Sequence, residues 1–179
     1  SKEQIPSKDT EDVTSLKKTF KNHFFIGTAL NEDQLNGKAP EELDLVKEQF
    51  NSIVAENCMK SERLFVSPER YDFSVADKFV AFGEENDMVI HGHTLIWHSQ
   101  LPEWFFKDSL GNTISKEGLK ERMKKHINTL VSRYKGKVKS WDVVNEAVLD
   151  DGKLRPSKFY EILGDEYLKL AFEWAHEAD

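Results

Sequence analysis

Apolar residues along this chain recur at two spacings. Short continuous apolar runs suit buried strands. Each is followed by a loop and a stretch with apolar residues three or four apart, which suits a helix. After a short helix suggested by Leu16 and Phe20, this pattern occurs four times. The runs are Phe24–Ala29, Ser52–Ala55, Met88–Thr94 and Val138–Val144. Helices are predicted near Pro40–Phe50, near Ser74–Glu85, after Ser115 and near Asp165–Ala178. Pro40 fits a first helical turn, where its missing N–H costs nothing, and Leu43, Val46 and Phe50 then share a face. Ser74 and Asp77 have the spacing of a capping box. Leu119, Met123, Leu130 and Tyr134 mark the core face of the third helix; Leu168, Ala171, Phe172 and Ala175 mark that of the fourth.

Strands alternating with helices predict a parallel sheet covered by helices, with strands apolar enough to be buried on both faces. Polar residues gather at the C-terminal end of each run: Asn31 and Glu32, Glu56 and Asn57, His93 and Trp97, Asn145 and Glu146. Active sites of (β/α)8 barrels are built at that end from several strands. A doubly wound sheet also collects ligands there, but no glycine-rich phosphate turn follows the first run. Four units are half of an eight-unit barrel, and a complete barrel takes about 250 residues. Residues 1–11 are polar and aperiodic and are expected to form a disordered tail. Residues 12–179 are expected to form the N-terminal half of a TIM barrel, an α/β fold, cut after its fourth β/α unit.

Composition narrows the class of function. The 39% apolar and 32% charged content fits a globular domain. A net charge of -7 argues against nucleic-acid or anionic-membrane partners and suits a neutral ligand. Cys58 is the only cysteine, which leaves no internal disulfide and no cysteine zinc site. No run approaches the ~20 apolar residues of a membrane span, and no signal peptide is recognisable. The aromatic residues offer stacking surface, although most should lie in the core.

Three stretches carry candidate chemistry. In WDVVNEAV, Trp141–Val148, Asn145 and Glu146 follow an apolar strand. A carboxyl at an apolar barrel mouth is partly desolvated and suited to act as a general acid, and the neighbouring amide can bind a hydroxyl. In HGHTLIWHSQLPEW, His91–Trp104, alternation puts His91 and His93 on one side of the strand, and His93, Trp97, His98 and Gln100 line the loop mouth. An indole beside several hydrogen-bonding groups is how a sugar site is built. In ENCMK, Glu56–Lys60, donors and acceptors together suit vicinal diols. Each stretch alone also fits a helix cap, a structural histidine or a solvated loop. Their joint placement on successive strand ends is what points to a site.

The segments NCMK, HGHTLIWHSQLPEW and WDVVNEA resemble, in order and spacing, the hallmark segments of family 10 glycoside hydrolases, retaining endo-1,4-β-xylanases. SLKKTFKNHFFIGTALN resembles that family's first helix and strand, and YLKLAFEWAHEAD its fourth helix, so the likeness spans roughly residues 15–179. The resemblance implies that Glu146 is the acid/base and that Asn145, His93 and Trp97 form the reacting-sugar subsite. It implies that Glu56, Asn57, Lys60 and Gln100 contact sugars on the non-reducing side, and that Trp104 and Trp141 are structural. It implies xylan and xylo-oligosaccharides as substrates, no cofactor or metal, and a secreted, periplasmic or cell-surface location. The segment SERLFVSPERYDF lacks the family's usual glycine before its aromatic-x-aromatic end. The family's nucleophile belongs to the seventh strand, so this chain alone is expected to lack it and to need the C-terminal half of the barrel.

Two other readings use the same residues. A non-catalytic sugar-binding half-barrel needs no nucleophile. A metal-dependent hydrolase would use the His-x-His pair with His98 nearby; His126 and His176 lie in helix-period segments and are expected to face outward. Chelation separates these readings. Xylan hydrolysis by the full-length protein should survive a strong chelator, whereas loss of activity restored by zinc would favour the metal enzyme.

Overall fold

In a computed structural model of the chain, residues 14–179 are described, and four strands form one parallel sheet. The expected tail at residues 1–11 lies outside the described residues. In chain order the elements begin with α1 (Leu16–Thr19), β1 (Gly27–Leu30), α2 (Glu32–Leu35), α3 (Pro40–Gln49), β2 (Ser52–Ala55) and α4 (Ser61–Leu64). A short hairpin of β3 (Phe65–Ser67) and β4 (Arg70–Tyr71) precedes α5 (Ser74–Glu85) and β5 (Val89–Ile96). A 3-10 turn at Glu103–Phe106 leads to α6 (Lys116–Arg133), β6 (Ser140–Val144), α7 (Lys158–Leu163) and α8 (Glu166–Ala178). The sheet order is β1-β2-β5-β6, with Gly27 opposite Ser52, Ser52 opposite Val89 and His91 opposite Ser140. This is the N-terminal part of a (β/α)8 barrel.

The strands begin where a partner is available. β1 starts at Gly27, not Phe24, because β2 supplies partners only from Ser52; the turn before it is tied by the Asn51 side chain, which accepts from the Ile26 N–H. Phe24 and Phe25 are therefore exposed. β6 starts at Ser140 because the Val138 N–H still bonds the Tyr134 carbonyl, in the turn that follows α6. Only one face of the sheet is thoroughly covered: in β2, Ile53 and Ala55 are buried while Ser52 and Val54 are half-buried.

Three local expectations give way to stronger interactions. The predicted capping box at Ser74 does not form. Asp72 accepts from the Ser74 N–H instead, and Asp77 makes a two-bonded pair with Arg133 at 2.9 and 2.6 Å. A box does form at Asn31 and Gln34, each side chain accepting from the other's backbone N–H, and it starts the unforeseen helix α2. Phe172 is 56% exposed, because α8 turns Tyr167, Ala171, Trp174 and Ala178 inward at helical spacing and leaves Phe172 on the flank.

One close approach packs β6 against β5. The Trp141 ring lies over Gly92 so tightly that a Cβ there would sit 2.2 Å from the indole. Beneath the sheet, His126 is fully buried, contrary to the expectation that it faces outward. Its spacing from Leu119, Met123 and Leu130 places it on the core face of α6. Its two ring nitrogens meet Ser61 Oγ at 3.2 Å and the Tyr71 hydroxyl at 3.1 Å, so the polar group is fully satisfied.

Burial pushes the His126 imidazole down from 6.5 to about 4. The unfolded chain therefore binds this proton at a higher pH than the folded one, and acidification favours unfolding. The contribution is complete above pH 6.5 and is lost as pH falls to about 4, a change of about 3 kcal/mol. Thermal midpoints should fall across that window, and more steeply than in His126→Asn, which should be less stable at pH 7 but flatter below it. Equal slopes in the two proteins would refute the assignment.

Candidate active site

The C-terminal ends of β2, β5 and β6 bring most of the candidate residues together. Glu146 lies two residues beyond β6 with its side chain about half exposed. Trp97, one residue beyond β5, donates its indole N–H to Glu146 Oε2 at 2.9 Å. His98 Nε2 lies 3.8 Å from the same oxygen. Burial, and then the charge of Arg155, hold the His98 imidazole below its usual value, against the pull of Glu146. At 3.8 Å His98 is beyond hydrogen-bonding distance, which leaves the Trp97 indole as the donor to the carboxyl. Asn145 is half-buried beside Glu146, its backbone N–H bonded to the Ile96 carbonyl, so it links β6 to β5 at the mouth.

Glu146 adopts φ 54°, in the left-handed region. A side chain there costs on the order of 1–3 kcal/mol and persists only where its surroundings hold it. Two groups do so: the Trp97 indole on the carboxyl, and the Arg155 Nε–H, which donates to the Glu146 carbonyl at 2.9 Å.

Behind the mouth, the inward histidines share one carboxylate. Asp142 Oδ2 lies 2.8 Å from His93 Nδ1, and Oδ1 lies 3.1 Å from His91 Nε2. Burial works to raise the Asp142 carboxyl, but the hydrogen bonds and charges of His93 and His91 outweigh it and hold the group below its ordinary value. His93 is thus anchored through one nitrogen, with its ring 6.1 Å from that of Trp97. The arrangement suits a fixed donor for a ligand hydroxyl. Among the described residues, no group of three or more His, Cys, Asp and Glu could hold a metal ion.

On the other side of Trp97, Lys60 is buried. Its ammonium lies 5.0 Å from the centre of the Trp97 ring and donates to Asn57 Oδ1 at 2.9 Å. Gln100 stands farther out, in a cleft shared with Asn57, Glu62 and Arg63, and the two loops are joined by the Glu62 N–H on the Gln100 carbonyl. Glu56 is exposed at the end of β2, with its backbone N–H bonded to Leu30. The site therefore runs from Gln100 past Lys60 and Trp97 to Glu146. Sequence reasoning passed over Asp142 and Arg155. Asp142 carried a signal, a charge inside an apolar run, whereas Arg155 arrives from a loop and carried none.

Comparisons with known proteins place the chain among its relatives. The family model for glycosyl hydrolase family 10 matches residues 15–179. The chain is 47% identical over 169 residues to endo-1,4-beta-xylanase A of Xylanibacter ruminicola, covering 94% of this chain and 46% of that protein. It is 47% identical over 184 residues to endo-1,4-beta-xylanase A of Thermotoga maritima, covering 98% of this chain and 17% of that protein. A GH10 endoxylanase retrieved from a sugarcane soil metagenome superposes with a TM-score of 0.90 at 46% identity, over 92% of this chain and 48% of that one. This chain spans about half the length of the Xylanibacter relative, and less of the Thermotoga one.

Trp97 presents two separable groups here, a ring face and an N–H that donates to Glu146. Trp97→Ala should weaken oligosaccharide binding by roughly 1–3 kcal/mol, the scale of a large apolar contact. Trp97→Phe should retain most binding but lower turnover. Calorimetry and steady-state kinetics on xylo-oligosaccharides read both effects, and wild-type binding in Trp97→Ala together with wild-type turnover in Trp97→Phe would exclude Trp97 from the site.

Proposed function

We propose, from the premise that this chain belongs to glycosyl hydrolase family 10, that the full-length protein hydrolyses internal β-1,4 bonds of xylan with retention of configuration. The observation that carries the reading is the setting of Glu146: a carboxyl at a strand end, oriented by an indole N–H, beside an amide and an anchored histidine. In the first step protonated Glu146 gives its proton to the glycosidic oxygen as the bond to the sugar carbon breaks. A second carboxylate attacks that carbon and forms a glycosyl-enzyme. In the second step Glu146 takes a proton from water, which displaces the enzyme carboxylate and frees the sugar.

The second carboxylate is assigned to a later barrel strand outside residues 1–179, about 5–5.5 Å from Glu146, as retention requires. Asn145 binds the 2-hydroxyl of the reacting sugar, and His93 and Trp97 form the rest of its subsite. Lys60, Asn57, Glu56 and Gln100 hold the sugars on the non-reducing side. The net charge of -7 suits a neutral polysaccharide, and no helix among the described residues is long and apolar enough to cross a membrane. We place the enzyme outside the cytoplasm, where a polymeric substrate is accessible.

Glu146→Ala in the full-length protein should reduce kcat/KM on xylo-oligosaccharides by about 10²–10⁴-fold, the usual contribution of a positioned general acid. Aryl xylobiosides with an acidic phenol as leaving group need little protonation and should lose far less in the same constant. Wild-type activity of the variant on unactivated oligosaccharides would refute the assignment.

A further inference from the structure

Glu146 holds its left-handed backbone at the start of a loop that closes on itself. Val148 and Leu154 form an antiparallel bridge, the Leu149 N–H bonds the Lys153 carbonyl, and the Gly152 N–H bonds the Leu149 carbonyl. Arg155 stands where this loop returns. Its backbone N–H donates to the Ala147 carbonyl at 2.8 Å, and its side-chain Nε–H donates to the Glu146 carbonyl at 2.9 Å. One residue thus grips two consecutive peptide groups at the strained position.

Arg155 is itself fixed. Its carbonyl accepts from the Ser157 N–H at 2.8 Å, and Ser157 caps α7 by accepting from the Tyr160 N–H. Among the described residues no carboxylate forms an ion pair with the guanidinium. Its directed donor is therefore given to the main chain of Glu146 and not to a structural salt bridge. A planar guanidinium constrains direction in a way that a flexible ammonium does not.

We propose that Arg155 is a positioning residue for proton transfer: by holding the Glu146 carbonyl it fixes the backbone from which the carboxyl reaches the glycosidic oxygen. The inference rests on the reading of Glu146 as acid/base. Losing the grip lets the Glu146 backbone relax, and the carboxyl leaves both the Trp97 N–H and the bond it must protonate. Sugar binding by Lys60, Asn57 and Gln100, on the far side of Trp97, does not depend on it.

The test uses full-length Arg155→Met and Arg155→Lys, with kcat/KM measured on a xylo-oligosaccharide and on an aryl xylobioside with an acidic phenol. A general defect in folding lowers both substrates together. A misplaced acid lowers the unactivated one selectively, out of the 10²–10⁴-fold that general acid catalysis supplies. In Arg155→Met the ratio of the two constants should shift by about tenfold or more with little change in KM. Arg155→Lys, which keeps a donor and the charge, should shift it by about threefold or more, and that variant decides alone if the methionine variant does not fold. A ratio unchanged from wild type, whether both constants fall or neither does, overturns the proposal. Glu146→Ala serves as the control. If it shows no leaving-group dependence, the acid/base reading fails and this inference with it; if it does and the Arg155 variants do not, only the inference fails.

Discussion

The parallel register of β2, β5 and β6 is the constraint on which the site depends. Ser52 opposite Val89 and His91 opposite Ser140 bring three strands out at one end of the sheet. The chain then delivers Asn57 and Lys60, Trp97, and Glu146 from three loops to one place. A slip of a single residue in any strand would turn its side chains to the other face. It would separate His93 from Asp142, and Trp97 from Glu146. The register is held by the apolar residues turned to the core, including Ile53, Ile90 and Val143, so packing on one side of the sheet sets chemistry at its end.

Within that frame, the polar groups are held from more than one direction. Asp142 ties His91 to His93, Asn57 ties down Lys60, and Glu146 is gripped at both carboxyl and carbonyl. Dipoles and donors fixed in this way need little reorganisation when charge develops on a substrate. Beneath them, His126 links the start of α4 to the hairpin strand β4 through Ser61 and Tyr71. The loop that carries Lys60 thus rests on a closed polar network instead of on apolar contact alone.

The larger elements were legible because their signals are periodic. β2, and α3, α5 and α8 to within a residue or so at their ends, follow from spacing alone. α2, α4, α7 and the β3–β4 hairpin were not foreseen: each is six residues or fewer and lacks the continuous apolar run that marked β2. His126 was misplaced through its polarity, although its position on α6 matched the core face. The site residues were visible as types at strand ends, and the structure gathers most of them around Trp97. The conformation of Glu146 was not legible, because a left-handed glutamate has no sequence mark and its clasp, Arg155, lies nine residues on.

The contact between Gly92 and Trp141 has a consequence for how this sequence can vary. The two positions share one volume, 49 residues apart in the chain and directly opposite in the sheet. Any side chain at 92 must enter space that the indole occupies. Changes at the two sites are therefore non-additive: a methyl at 92 is costly with tryptophan at 141 and tolerable only with something smaller. Position 92 can therefore accept a side chain only after position 141 has given up its indole, so the order in which the two change decides whether the intermediate folds.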